Sequence, residues 1–361
     1  MRKYVDVKTR NREATCWEML RWFESQKYVE NQLSQRHGPA PKDAEDKARQ
    51  IVSLAVQGRE YFEAARQVSL ATQPTLLYYG MACLASAVTI SARPDSRLGK
   101  GHGITLDESQ GCCDLSTMGV RVKSKDGALP DLLNALTCDY YHFRYDQSAP
   151  KDAVVRAARP VVLSPQQRIP LGELLATVPA VGELASQQYG NWPYSPTAVR
   201  DVVLQQLGAG GNYRVVVMPG QHSDQAAWDR LQGERYERRG DVGVTPFAEI
   251  ISPEAQTPGD LPLTSLFRDV AAGGYWYVYD RNPYLLMPRI ATFVTIGFAF
   301  GFLARYRPVQ WSSLIAGVES PAVHVIRRFL SLAFDEFPLL ALRELSDIHY
   351  ALGPTYAQMM E

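Results

Sequence analysis

Histidine and arginine together can cleave RNA without a metal. A histidine moves a proton at the ribose 2′-hydroxyl or the leaving oxygen, and an arginine holds the phosphate as charge develops on it. The stretch LLYYGMACLASAVTISARPDSRLGKGHGI, residues 76–104, sets Arg97 and His102 with four residues between them. Near the C-terminus RELSDIHYAL offers a second pair, Arg343 and His349. With 6 histidines in 361 residues and arginine so common, chance supplies such spacings at about the rate seen, so spacing alone carries little weight. On one continuous helix Arg343 and His349 would differ by about 240° of rotation, 120° the short way round, and would not converge. Arg97 and His102 sit instead on a loop with glycines at 99, 101 and 103, which only packing can hold in place. The plainer role for His102 is a hydrogen bond to a helix end or a nearby carbonyl.

A second cluster of useful side chains is ARYRPVQW, where Arg305 and Arg307 flank Tyr306 ahead of Pro308. Cations at the end of an apolar helix complement its dipole, and proline stops it. Capping, with packing on Trp311, is the structural reading. The functional one is an arginine–aromatic site for a phosphate or a nucleotide base. It gains force if folding brings Arg305 near Tyr78, Tyr79 and His102. DYYHFRYD, residues 139–146, reads as a strand edge or packed turn before a recognition patch, and RLQGERYERRGD as a solvated or mobile loop. GAGGN lacks the lysine and context of a phosphate loop, and no nucleophile elbow or HExxH is present. The five cysteines form no zinc-knuckle pattern, and the adjacent Cys112 and Cys113 read as reduced thiols. No metal and no cofactor are expected. Basic and acidic residues balance at 38 each, so any RNA contact must be a local patch.

These side chains need a frame. Residues 13–35 carry Trp17, Leu20, Phe23 and Tyr28 along one stripe of a helix, and a longer helix follows from about Asp43. Pro74 opens the next helix, apolar on nearly every side and therefore central in a bundle, with Gly80, Ala82, Ala85 and Ala87 letting neighbours approach. From about residue 105 the texture changes. TMGVRVKSKDGAL has the alternation and DG turn of a short hairpin, one amphipathic helix falls near Leu171–Leu184, and NYRVVVMPG and TPFAEIISP read as strands. The last hundred residues return to helices, through IATFVTIGFAFGFLA, too short for a membrane span, to LLALRELSDIHYAL. An odd cysteine count and no secretory signal point to a reducing cytoplasm.

ARQVSLATQPTLLYYGMACLASAVTI followed by GKGHGI is similar to the YaaC-like family, with Ile104 where that family usually has leucine. The similarity continues in order through IPLGELLATVPAVGEL and FAFGFLARYRPVQW, and CWEMLRWFESQKYVENQL also suits it. The YYG helix with its following histidine resembles, more distantly, the core of the HEPN class. That likeness implies a mainly α fold: a HEPN-like helical bundle formed by the N- and C-terminal helices, with a mixed α/β insertion in the middle. The expected division is 1–105, 106–262 and 263–361. It also implies a binding or interaction protein of a bacterial anti-phage defence or stress complex. The alternatives are a metal-independent endoribonuclease using His102 and Arg97, with Arg305 from the other half as a further partner, and a sensor with a nucleotide bound at the His102–Arg305 surface. Ligand-binding candidates are Arg305, Tyr306, Arg307, Tyr78 and Tyr79. Expected partners are a protein encoded nearby or a second copy of the chain, with RNA or a nucleotide as ligand and no membrane.

Overall fold

The computed structural model describes residues 3–38, 44–95, 97–107, 114–123, 125–136, 138–143, 153–158, 164, 166–189, 192, 197–207, 212–220, 224–232, 236–239, 249–261, 266–268, 276–278, 287–316 and 321–353. Strand β1 is Lys3–Lys8. Helix α1, Arg12–Leu20, starts where the Asn11 side chain accepts the Ala14 amide, satisfying one orphan donor of the first turn. Helices α2 (Gln26–His37), α3 (Ala44–Arg66) and α4 (Gln73–Ala92) follow, the last opening with Pro74 where a missing N–H costs nothing. Then come β2 (Ile104–Asp107), β3 (Gly119–Val122), α5 (Ala128–Ala135), β4 (Cys138–Phe143), β5 (Ala153–Ala158) and β6 (Arg168–Pro170). Next along the chain are α6 (Leu171–Ala176), α7 (Pro179–Tyr189), β7 (Thr197–Leu207), β8 (Asn212–Pro219), α8 (Asp224–Leu231) and β9 (Glu237–Arg239). The chain closes with β10 (Glu249–Ile251), β11 (Leu266–Arg268), β12 (Trp276–Val278), α9 (Arg289–Tyr306), α10 (Pro308–Ile315), α11 (Ala322–Ser346) and β13 (Ile348–Gly353). The protein is mainly helical with a mixed α/β middle.

The chain divides into two compact units, one of Val5–Leu136, Val162–Leu175 and Met287–Glu361, the other of Met1–Tyr4, Thr137–Val161 and Ala176–Leu286. In the first, α4 and α9 are apolar on almost every side and therefore sit inside, packed on each other. Helix α4 is long and apolar enough to cross a membrane by length and composition, yet 61% of its most apolar window is buried within the fold. Helices α3 and α4 meet at Gly58 and Gly80, where a Cβ on Gly80 would stand 2.6 Å from the Phe62 ring and 3.1 Å from the Gly58 carbonyl. Phe62 then reaches Phe334 and Phe337 of α11, ring centroids 5.9 and 6.2 Å away. Phe293, Phe300, Phe329 and Trp311 complete this aromatic centre, all buried. A sheet ordered β2-β3-β6 turns Ile104, Leu106, Val120, Val122 and Ile169 inward. On its other face the buried Asp107 carboxylate binds Arg121 at 2.9 Å and Arg168 at 2.7 Å.

The second unit holds an antiparallel sheet ordered β11-β12-β7-β8-β10-β9 and a separate β4–β5 pair. Val202, Leu204, Val215 and Val217 of the sheet pack with Ala227 and Leu231 of α8.

Four local expectations change. Helix α11 stops at Ser346 because Asp347 takes a left-handed conformation (φ 55°), so His349 lies on β13 and not on the helix of Arg343. The Arg343 guanidinium donates twice to the Tyr350 carbonyl, at 2.9 and 2.6 Å, tying that strand down. The Asp126–Gly127 dipeptide forms no hairpin turn: Gly127 (φ 130°) opens α5, and β3 pairs with β2 and β6. The segment near Leu171–Leu184 is two helices, divided before Pro179. Part of RLQGERYERRGD is ordered, ending α8 with Leu231 buried and forming β9 after the buried Tyr236. Strand β1, which carries no strong strand signal, pairs with β13.

Candidate functional site: a histidine, an arginine and a run of aromatic rings

The GKGHGI loop leaves α4 and is held by backbone bonds from every side. The Gly99 amide donates to Asp131 Oδ2 (2.6 Å), and the amides of Ala128 and Leu129 at the start of α5 donate to the carbonyls of Gly101 (3.0 Å) and His102 (3.3 Å). The Lys123 amide donates to the Gly103 carbonyl at 2.8 Å. Gly103 is required twice over: its φ is +73°, and a Cβ there would meet Pro130 Cδ at 2.6 Å. The loop is therefore a fixed mount for His102.

His102 is half-buried, and its ring lies 5.3 Å from Tyr78 of α4 and 5.3 Å from Phe298 of α9, centroid to centroid. Its Nδ1 is 2.6 Å from the Tyr78 hydroxyl. The partner is thus a side chain in the second turn of α4, not an unpaired helix-end group or a carbonyl. Burial, and then the positive charge of Arg305, lower the pKa of His102 below the usual histidine value, so the ring is neutral at pH 7. Burial pushes the Tyr78 phenol well up, with Tyr79 adding to the shift, so this hydroxyl keeps its proton.

Beside this pair is a more open set of groups. Arg305, near the end of α9, donates through Nη1 to the Tyr79 hydroxyl. Its guanidinium carbon lies 5.8 Å from the Tyr79 ring centroid and 4.9 Å from that of Tyr306, within cation–π range. Tyr306 is 50% exposed, which leaves ring area for a ligand. Rings continue on both sides: Tyr61 of α3 is 5.7 Å from Tyr79, and Phe302 lies 4.9 Å from Tyr306 and 5.7 Å from Phe298. Close packing of α4 on α9 is what brings Tyr79 and Arg305 together across 226 positions of sequence.

Of the sequence candidates, Tyr78, Tyr79, His102, Arg305 and Tyr306 form this one cluster. Tyr78 is only 4% exposed and stands behind His102. The Arg307 amide bonds the Leu303 carbonyl and its carbonyl accepts from the Trp311 amide, joining α9 to α10, and its guanidinium donates to the Tyr306 carbonyl at 3.2 Å. Trp311 itself is buried, donating to the Leu70 carbonyl at 3.1 Å and lying 6.0 Å from Phe300. Arg97 is exposed on the loop, and among the described residues no hydrogen bond or ion pair orients its guanidinium. DYYHFRYD lies in β4 as far as Phe143, and 144–146 lie outside the described residues, as do Cys112 and Cys113. Phe298, Phe302, Tyr61 and Asp131 have parts in the site that sequence reading missed. A usable signal existed for two of them: Phe298, Phe302 and Tyr306 recur every four residues, on one face of a helix.

The family model described as YaaC-like protein matches residues 21–345, a span that contains every residue of this cluster, and the chain belongs to the YaaC-like protein family. No curated protein and no solved structure matches it.

Proposed function

We propose that the chain is a recognition protein. It binds a phosphorylated nucleotide, free or as a unit of RNA, on the surface formed by Tyr79, His102, Arg305 and Tyr306. The observation that carries this reading is Arg305: exposed, without a carboxylate partner among the described residues, and held against two tyrosine rings. A guanidinium fixed in that way pairs with phosphate oxygens, and an exposed tyrosine beside it stacks a base. With zero net charge the attraction is local, so contact with few phosphates is expected.

Cleavage by the Arg97–His102 pair would ask Arg97 to face His102, and nothing among the described residues fixes Arg97 for that task, so recognition is better supported than cleavage by that pair. In this role the chain serves a bacterial anti-phage defence or stress complex, its helices taken as a HEPN-like bundle and its partner a protein encoded nearby or a second copy. Thermal unfolding with AMP, GMP or UMP against the matching nucleosides tests the binding. A ligand that binds the folded chain raises Tm, by about 2.7 kcal/mol of added stability at a hundredfold excess over Kd. The monophosphates should raise Tm and the nucleosides should do so far less. No shift with any nucleotide would remove the proposal.

A further inference from the structure

We infer that Tyr78 fixes the tautomer of His102, so that the ring proton sits on Nε2 and the site presents only donors, which suits an acceptor-only oxyanion such as a phosphate. The ligand half of this inference rests on the nucleotide-binding reading above; the tautomer half does not, and stands on the Tyr78–His102 contact and the burial around it.

Tyr78 is 4% exposed, and His102 Nδ1 at 2.6 Å is its hydrogen-bond partner among the described residues. A buried O–H that fails to donate is costly, so the phenol donates and Nδ1 accepts. Nδ1 can accept only if it carries no proton. Burial and the nearby Arg305 charge keep the imidazole from taking a second proton, so the single proton it has is on Nε2. No described residue engages Nε2, which is left for a ligand.

The surrounding groups match that polarity. Arg305 has N–H groups and no acceptor. The Tyr79 oxygen already accepts from Arg305, which turns its own O–H to donation. The donors are thus Nε2–H, the guanidinium and a phenol, with one positive charge and no carboxylate paired to it among the described residues. A group bearing donors of its own would leave these unpaired, whereas phosphate oxygens satisfy all three. Tyr78 is on this account a positioning residue: it touches His102 and reaches the ligand only through it.

Long-range proton–nitrogen NMR correlation on the full chain at about pH 7.5 reports which imidazole nitrogen is protonated. His102→Gln, which removes one ring, assigns the signal. In the wild type His102 should be the Nε2–H tautomer. Tyr78→Phe should give a mixture and weaken AMP roughly fivefold to tenfold, the effect of losing one oriented hydrogen bond. A wild-type ring protonated on Nδ1 overturns the inference, whether or not the variant folds. A variant that keeps the pure Nε2–H form overturns the role of Tyr78. Inorganic phosphate and AMP should both move the Nε2 resonance; adenosine moving it while phosphate does not overturns the oxyanion assignment. AMP failing to bind at all, while the wild type is the Nε2–H tautomer and Tyr78→Phe a mixture, overturns the nucleotide reading and leaves the role of Tyr78 supported. A short oligoribonucleotide bound more tightly than AMP identifies a strand as the source of the phosphate; equal binding identifies the free nucleotide.

Discussion

His102 and Arg305 owe their character to neighbours. An exposed histidine titrates near 6.5, and burial against Tyr78 and Phe298 with Arg305 close by lowers that value. Linkage then fixes a sign. Between the ordinary histidine value and the lowered one, the unfolded chain binds a proton that the folded chain refuses. The neutral ring therefore contributes stability that is complete above pH 6.5 and is lost as pH falls below it. Urea unfolding at neutral pH and at about pH 5.5 should show this loss in the wild type and a smaller one in His102→Gln. An equal loss in both would show that His102 carries no such linkage. At this scale the sequence is a good guide to which side chains matter and a poor one to what they meet. Tyr79 and Arg305 stand out by type, but their contact depends on two helices packing 226 positions apart. The spacing of Arg97 from His102 says nothing about direction on a glycine-broken loop, and Arg97 points to no described partner.

Elements are legible where one periodicity rules and hidden where tertiary contacts choose. Helices α4 and α9 are plain from their apolar content and α3 from the one-sided spacing of its apolar residues, and all-round apolarity correctly puts α4 and α9 inside. Strand β1, KYVDVK, has too little apolar signal to declare itself and forms because β13 offers an edge. Likewise Gly127 looks like the tip of a hairpin but starts a helix, because the loop carrying His102 docks on α5. That docking makes the loop rigid despite its glycines. Gly103→Ala tests it: the new methyl would enter Pro130 at a positive φ. The expected cost is about 1–3 kcal/mol in urea unfolding, with nucleotide binding weakened because His102 shifts. A variant as stable as the wild type would mean that the mount is looser than described.

For the whole molecule, balanced charge and family membership constrain the account differently. A chain of zero net charge has no global field for nucleic acid, so the proposed recognition rests on one local patch. The YaaC-like match over residues 21–345 includes that patch and assigns it no role. What sequence could not supply is the aromatic frame around an arginine near a helix end, the proposed binding surface, since Tyr61, Tyr79, Phe302 and Tyr306 come from three helices. The most direct test is titration calorimetry of AMP into the wild type and into Arg305→Ala, an exposed change that should leave the fold intact. The wild type should bind saturably, and the variant about tenfold or more weakly. Equal affinity in the two proteins, or no binding by the wild type, would contradict the proposed binding surface.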